Sequence, residues 1–436
     1  MSSASGAAWR NWSGNQRATA VRVVRPRSTA EVAAAVHAAR RDGLRVKPVG
    51  SGHSFTAAAA TDGVRLDLRA LDEPVAVDRD RRLVTVPAGM RLRTLNALLA
   101  AHGLALPNLG DIDAQTVAGA LATGTHGTGA GYGCLSTFLA GLDLVTAEGT
   151  VVSCSPAAHP DVFTAAQVGL GALGVVTAVT LRCVDAFVLE ADERPTPLAE
   201  TLSRVDELAT ANDHFEFYWQ PYTERTLVKR NNRVAVDSRP LSKLKAWWEN
   251  DFLQNVAFGA VCRLGRAVPA LAPPLMRGVA SFFSPVTYTR RSDRVFVTPR
   301  RVRFVEMEYG LPRAALPEAF AALRRIVDGL PFPLLLPVEV RVVAADDIWL
   351  SHGYGRDSVY IAIHQYVGMP YEPYFHAFEQ VCAGLGGRPH WGKLHWRDAA
   401  SLAPAYPRFA DFLAVRDKLD PDRVFANAYV ERVLGA

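Results

Sequence analysis

The chain has 436 residues, 49% of them hydrophobic and 21% charged, with a formal net charge of +5. That length exceeds one ordinary core and predicts two domains, while the composition excludes a disordered chain. The positive excess is too small to argue for nucleic acid. The wide spacing of Cys134, Cys154, Cys183, Cys262 and Cys382 excludes a Cys-x-x-Cys zinc or redox motif and predicts isolated buried thiols.

The first residues, MSSASGAAWRNWSG, show no basic start followed by an apolar run, so no signal peptide is read and the cytoplasm is the expected location. Ser28-Thr29-Ala30-Glu31 has the form of a capping box, with Val32, Val36 and Ala39 following at helical spacing up to Gly43. Residues 44–49 read as a strand running into Gly50-Ser51-Gly52-His53-Ser54, and 64–68 as a second strand. A helix over 92–102 stops at Gly103, and a long glycine loop covers 108–133. A helix over 161–168 precedes a glycine turn and a strand over 175–182.

Beyond residue 185 the pattern changes to tryptophans and apolar runs at 302–309 and 334–343, which suit a sheet, with helices near 314–329 and 372–385. The uncharged stretch 114–142 is too rich in glycine for a bilayer span. The apolar stretch 252–276 is broken by Arg263, Arg266 and prolines, and reads as amphipathic helix and loop. Basic residues over 225–245, and Arg290, Arg291, Arg294, Arg300, Arg301 and Arg303, read as solvated faces or crossing loops. No metal site is expected.

Two regions carry chemistry. Glycines at the end of a strand let backbone N–H groups converge on an anion, and both 50–54 and 119–129 have that character. Neither is a nicotinamide or P-loop fingerprint, and a tight turn explains Gly50-x-Gly52 equally well. His53 reads either as a loop histidine bonded to backbone or as a nucleophilic imidazole beside a bound cofactor. In Pro337-Val338-Glu339-Val340-Arg341, residues two apart on a strand share a face, so Glu339 and Arg341 project together. Such a pair is either a structural salt bridge or a ligand site. Lys393, in His390-Trp391-Gly392-Lys393, reads alone as a turn lysine.

Taken together these segments match a family. VKPVGSGHSF (46–55) resembles the flavin-attachment segment of the vanillyl-alcohol-oxidase-like flavoproteins, more narrowly the aldonolactone oxidoreductases and alditol oxidases. AGALATGTHGTG (118–129), PVEVR, RPHWGK and the ending DPDRVFANAYVERVLG are similar to the same group.

The resemblance implies an α+β fold. It predicts a PCMH-type FAD-binding domain over 1–185, a sheet-plus-helices substrate domain over 186–400, and a C-terminal segment 401–436 returning to the FAD domain. It implies FAD linked covalently to His53. Pro48, Val49, Gly50, Ser51, Gly52, Ser54, Asp111, Thr116, Gly119, Thr123, Gly124, Thr125, His126 and Val175 would contact the cofactor. Glu339, Arg341 and Lys393 would be catalytic. Asp111, His364 and Tyr366 would join them in binding substrate, although His364 reads equally as a satisfied core histidine.

The reaction so implied is oxidation of a hydroxyl on a small sugar-derived molecule. An aldono-1,4-lactone is the leading substrate class and an alditol the alternative. Asp111 weighs against the alditol, because alditol oxidases carry a small hydroxyl residue at the matching site. Gly110, lacking a side chain, would leave oxygen access to the reduced flavin, so O₂ is expected as acceptor ahead of an electron-acceptor protein. A nucleotide-sugar reductase is a further alternative that the His-Trp-x-Lys segment opposes. No nucleic-acid partner is expected.

Overall fold

The computed structural model describes residues 3–4, 6–235 and 255–436. Strands β1 (Arg22–Val24), β2 (Val46–Val49) and β3 (Val64–Asp67) form a small sheet in the order β1-β3-β2, all parallel, with Ser3–Ala4 on its edge. Helix α1 (Thr29–Arg41) supplies the crossover from β1 to β2. Ser28 caps it by accepting the Glu31 N–H at 3.2 Å, and Glu31 reaches back to the Arg27 N–H rather than to its own cap residue.

A second, antiparallel sheet joins β4 (Ala76–Asp78), β5 (Leu83–Pro87), β6 (Leu139–Val145), β7 (Val151–Cys154) and β8 (Val175–Arg182) in the order β7-β6-β8-β5-β4. Its apolar residues share one core with α2 (Leu92–Ala101) and α4 (Pro160–Gln167). The glycine loop expected over 108–133 is interrupted by α3 (Val117–Ala122), which Thr116 caps by accepting the Gly119 N–H. Its short apolar run Val117, Ala120, Leu121 is enough to bury one turn after another once that cap is in place.

The third sheet has eight antiparallel strands. They are β9 (Val188–Pro197), β10 (His214–Trp219), β11 (Arg225–Val234), β12 (Val286–Arg291), β13 (Phe304–Pro312), β14 (Val338–Val343), β15 (Ser358–Tyr366) and β16 (Arg388–Pro389). Their order is β12-β9-β11-β10-β14-β15-β13-β16. Helices α5 (Phe258–Ala267), α6 (Ala272–Ser281), α7 (Leu316–Asp328) and α8 (Glu372–Gly384) accompany it. Residues 225–234 are therefore a strand inside a sheet, not a crossing loop. Lys229 lies 3.8 Å from Glu193, and Arg230 pairs with Asp192, both across from β9. The rest of that basic stretch lies outside the described residues.

Alternation decides what the third sheet buries. Phe215 and Phe217, Val338, Val340 and Val342, Ile361 and Ile363, and Val305 and Met307 point into one core with α7 and α8. The intervening residues point the other way. All five cysteines are free and buried, and burial pushes their thiols up.

The last helices, α9 (Phe409–Leu419) and α10 (Ala428–Leu434), pack in the core of the second sheet, as do Ile348, Trp349, Leu350 and Trp391 from the middle of the chain. Asn427 joins the ends of the protein. Its amide donates to the carbonyls of Ala57, Ala58 and Ala60, and its side-chain oxygen accepts the Val430 N–H at 2.8 Å. Asn427→Ala removes a helix cap and the side-chain donor to the half-buried carbonyls of Ala58 and Ala60. A loss of about 1–3 kcal/mol is expected, measured by chemical denaturation.

Candidate active site

Strand β2 ends in residues 50–54, which line a cleft with Thr116, Gly119 and Thr123 from α3 and its cap, and with the turn 169–174. The cleft is partly open to solvent and runs from Trp9 and the loop 50–54 to the turn 169–174. Two of its glycines leave no space for a side chain. A Cβ on Gly50 would collide with Thr116 Oγ1, and one on Gly89 with the Leu68 carbonyl. Gly52 adopts φ +70°, which turns the loop sharply beneath Trp9. The Ser51 hydroxyl is buried with no protein partner among the described residues. A buried orphan hydroxyl within a glycine cradle fits a phosphate-bearing ligand.

His53 lines the same cleft and stacks against Trp12 with ring centroids 5.7 Å apart. Burial, reinforced by Arg93, Lys393 and Arg91, pulls its imidazole down to about 4. It is therefore neutral across the physiological range. From this ring an aromatic path runs to the third sheet: Trp12 meets Phe304 edge-on at 5.2 Å, and Phe304 meets His364 edge-on at 5.1 Å.

The polar face of that sheet is ordered in rows across the strands. Tyr218, Glu339, Ala362 and Glu308 are register partners in one row, and Glu216, Arg341, Tyr360 and Gly310 in the next. His364 lies opposite Glu306. Because each row advances two residues per strand, all these side chains share the face opposite the apolar core.

Arg341 is the hub of one half. It pairs with Glu339, donates from Nε to Glu216 at 2.9 Å and lies 3.8 Å from Asp111. Glu339 also accepts from the Tyr218 hydroxyl at 3.0 Å. Arg300 crosses from a loop to pair with Asp111, so this arginine is not the solvated residue its sequence context predicts. Burial raises the Glu339 carboxyl although Arg341 opposes it, whereas the half-buried Asp111 is held far below the usual range by Arg300 and Arg341.

Lys393 is the hub of the other half. It pairs with Glu306 and lies 3.8 Å from Glu308. Burial alone would lower the lysine, but the two carboxylates raise it. His364 donates from Nδ1 to the Pro337 carbonyl at 2.9 Å and holds Nε2 3.5 Å from Glu306; despite burial, Glu306 raises it. His126 lies 3.2 Å from Glu308, while burial drives His390 and His352 well below their usual value.

The family-model comparison matches residues 179–433 to D-arabinono-1,4-lactone oxidase and residues 20–155 to an FAD-binding domain. Over 98% of this chain and 99% of its own, the L-gulono-1,4-lactone dehydrogenase of Mycobacterium tuberculosis is 45% identical. The chain belongs to the D-arabinono-1,4-lactone oxidase family. As a member it is an FAD-dependent oxidoreductase. The L-gulonolactone oxidase of Bos taurus is 33% identical over 98% of each chain, and an alditol oxidase from Streptomyces is 34% identical over 97% of this chain and 98% of its own. In fold, the chain is similar to cholesterol oxidase from B. sterolicum, with TM-score 0.84 and 17% identity over 99% of this chain and 97% of that one.

Within this family member, Pro48, Val49, Gly50, Ser51, Gly52, His53, Ser54, Thr116, Gly119 and Thr123 line the cleft. Gly124, Thr125, His126 and Val175 do not line it, and Val176 does so in place of Val175. His126 sits instead against Glu308 and the Tyr360 ring. Asp111 lies apart from the cleft with Arg300, Glu216 and Tyr218. Tyr366 sits under Arg266, away from Glu339 and Lys393 in its contacts. Sequence reasoning missed Glu216, Tyr218, Arg300, Glu306 and Glu308. The signal was present in Phe215-Glu216-Phe217-Tyr218 and Val305-Glu306-Met307-Glu308, which alternate as Glu339 and Arg341 do.

Glu339→Gln is isosteric and removes a charge the site already disfavours. It should leave the melting temperature near wild type and slow flavin reduction by about 10²–10³, the usual cost of one active-site electrostatic contact. Arg341→Ala should slow reduction too, but also cost about 3–5 kcal/mol, because it strands buried carboxylates. Stopped-flow reduction and thermal melts on both variants separate these effects. Unchanged reduction in both would remove the pair from the chemistry.

Proposed function

We propose that this protein oxidises a hydroxyl of an aldono-1,4-lactone of the gulono or arabinono type, using FAD carried covalently on His53. The observation that carries this reading is the paired polar face of Glu339, Arg341 and Lys393, joined by Trp12 and Phe304 to the cleft that holds His53. The names of the curated relatives support the lactone. The buried charges are mutually paired, which suits a neutral, hydroxyl-rich substrate bound by hydrogen bonds rather than an ion. Asp111, committed to Arg300, supports the lactone over the alditol, which remains the alternative on the strength of the Streptomyces relative.

Residues 48–54, Thr116, Gly119 and Thr123, which line the cleft, would hold the FAD, which when bound would supply a hydride acceptor. Glu339 and Arg341 orient the substrate hydroxyls. Lys393, kept charged by Glu306 and Glu308, offers positive charge where negative charge develops. His364, positioned by Pro337 and Glu306, is placed to take part in moving the hydroxyl proton.

Intact-mass analysis should show wild type heavier by one FAD and His53→Ala unmodified; an unmodified, flavin-replete wild type refutes the linkage. Because the imidazole titrates near 4, flavin attachment to apoprotein should be flat with pH from about 8 to about 5 and fall only below that. For the same reason apoprotein stability falls as pH drops from about 6.5 towards 4, since the unfolded chain takes the proton first.

The acceptor is read as oxygen, on the bare Gly110. A Cβ there would lie 3.2 Å from the His126 carbonyl and 3.4 Å from Thr125 Cγ2, so a methyl group fills or displaces that spot. Substrate-reduced enzyme mixed with oxygenated buffer should reoxidise quickly, more slowly in Gly110→Ala. The dehydrogenase name of the Mycobacterium tuberculosis relative favours a second reading, a different acceptor, and slow reoxidation of wild type would establish it over the first.

A further inference from the structure

The row of charges that contains Arg341 continues past β10. In register across β9, β11, β10 and β14 stand Glu193, Lys229, Glu216 and Arg341, alternating in sign. Where this row meets the segment 109–128 and the short helix Ser292–Phe296, the structure leaves a cavity of about 20 Å³. That is room for one water molecule or one terminal hydroxyl group. Tyr218 connects the cavity to the site described above: it lines the cavity, and its hydroxyl donates to Glu339 at 3.0 Å.

Two polar groups in the cavity wall are unspent. Asn231 is 8% exposed and lines the cavity, and its side-chain amide makes no hydrogen bond among the described residues. Lys229 Nζ makes none either: its carboxylate neighbour Glu193 lies 3.8 Å away, and the Tyr218 ring centroid 5.1 Å. The two residues are two apart on β11 and share a face. By contrast, Arg341 and Glu216 are bonded to each other, Glu339 to Arg341, and Asp111 to Arg300. A buried amide left without a partner is costly, so these free groups ask for a ligand. Asparagine both donates and accepts, as a hydroxyl does. The flanking row holds two positive and two negative side chains, which favours a neutral group over an ion. Val295 and Phe296 add an apolar wall, which suits a hydroxyl carried on carbon rather than water alone.

We propose that this cavity is a substrate subsite that receives the outermost hydroxyl of an aldonolactone tail, and that Asn231 and Lys229 select for tail length. The inference rests on the lactone reading above. A 1,4-lactone closes its ring through C1 to C4, so a six-carbon lactone carries a two-carbon tail and a five-carbon lactone a one-carbon tail. With the ring held by Glu339 and Arg341, the longer tail passes Tyr218 and bonds to Asn231 and Lys229, and the shorter tail stops before them. The enzyme therefore prefers six-carbon aldonolactones.

The test is anaerobic stopped-flow reduction of the full-length holoprotein by lactone pairs alike at every ring carbon: L-gulono- against D-lyxono-1,4-lactone, and L-galactono- against D-arabinono-1,4-lactone. Wild type should show an apparent Kd roughly ten-fold lower for the six-carbon member of each pair it oxidises. Asn231→Leu, close to asparagine in size, and Lys229→Met should each raise the six-carbon Kd roughly ten-fold and erase most of that preference. The limiting rate of reduction should move far less than Kd. A purely structural role would not change the ratio within a pair. Melting temperatures are measured alongside, and if Asn231→Leu does not fold, Lys229→Met decides. Equal Kd values within the wild-type pairs, or equal losses for both members in the variants, overturn the subsite and leave the lactone reading standing. A flavin that none of the lactones reduces overturns both.

Discussion

Burying carboxylates on one face of a sheet obliges the rest of a protein to supply their partners. Glu216, Glu306, Glu308 and Glu339 stand on β10, β13 and β14, where Arg341 pairs with Glu339 and Glu216, and Lys229 of β11 stands opposite Glu216. The other cations come from elsewhere: Lys393 from the segment after β16, and Arg300 from the loop before β13. Lys393 answers both Glu306 and Glu308, and Arg300 answers Asp111, so removing either cation strands a carboxylate in a low-dielectric setting. The long connections that bring them there are explained by this requirement better than by any local preference.

The same face ties the two parts of the chain together. Phe55, two residues after His53, packs in the core of the eight-stranded sheet and lies under Lys393 at 5.4 Å. Trp391, two residues before Lys393, is fully buried in the core of the second sheet, stacked on Tyr406 at 5.1 Å. His53 and Lys393 are thus each anchored by an aromatic neighbour in the other's part of the protein. The loop that carries His53 and the charged face are thereby held in register by packing.

By itself the sequence determined the local pieces. The capped helix at Ser28, the strands ending at Val49 and beginning at Val175, the glycine cradle, and the shared face of Glu339 and Arg341 all follow from periods of 3.6 and 2 and from glycine's tolerance of positive φ. These rest on neighbours a few residues apart. Only the tertiary structure decided which faces meet. That Arg300 answers Asp111 across 189 positions, that His364 stands opposite Glu306, and that residues 225–234 pair as an inner strand depend on strand order and register. No local pattern encodes these, because a one-residue slip would turn every one of those side chains to the opposite side, and the choice is made by burial of the whole sheet.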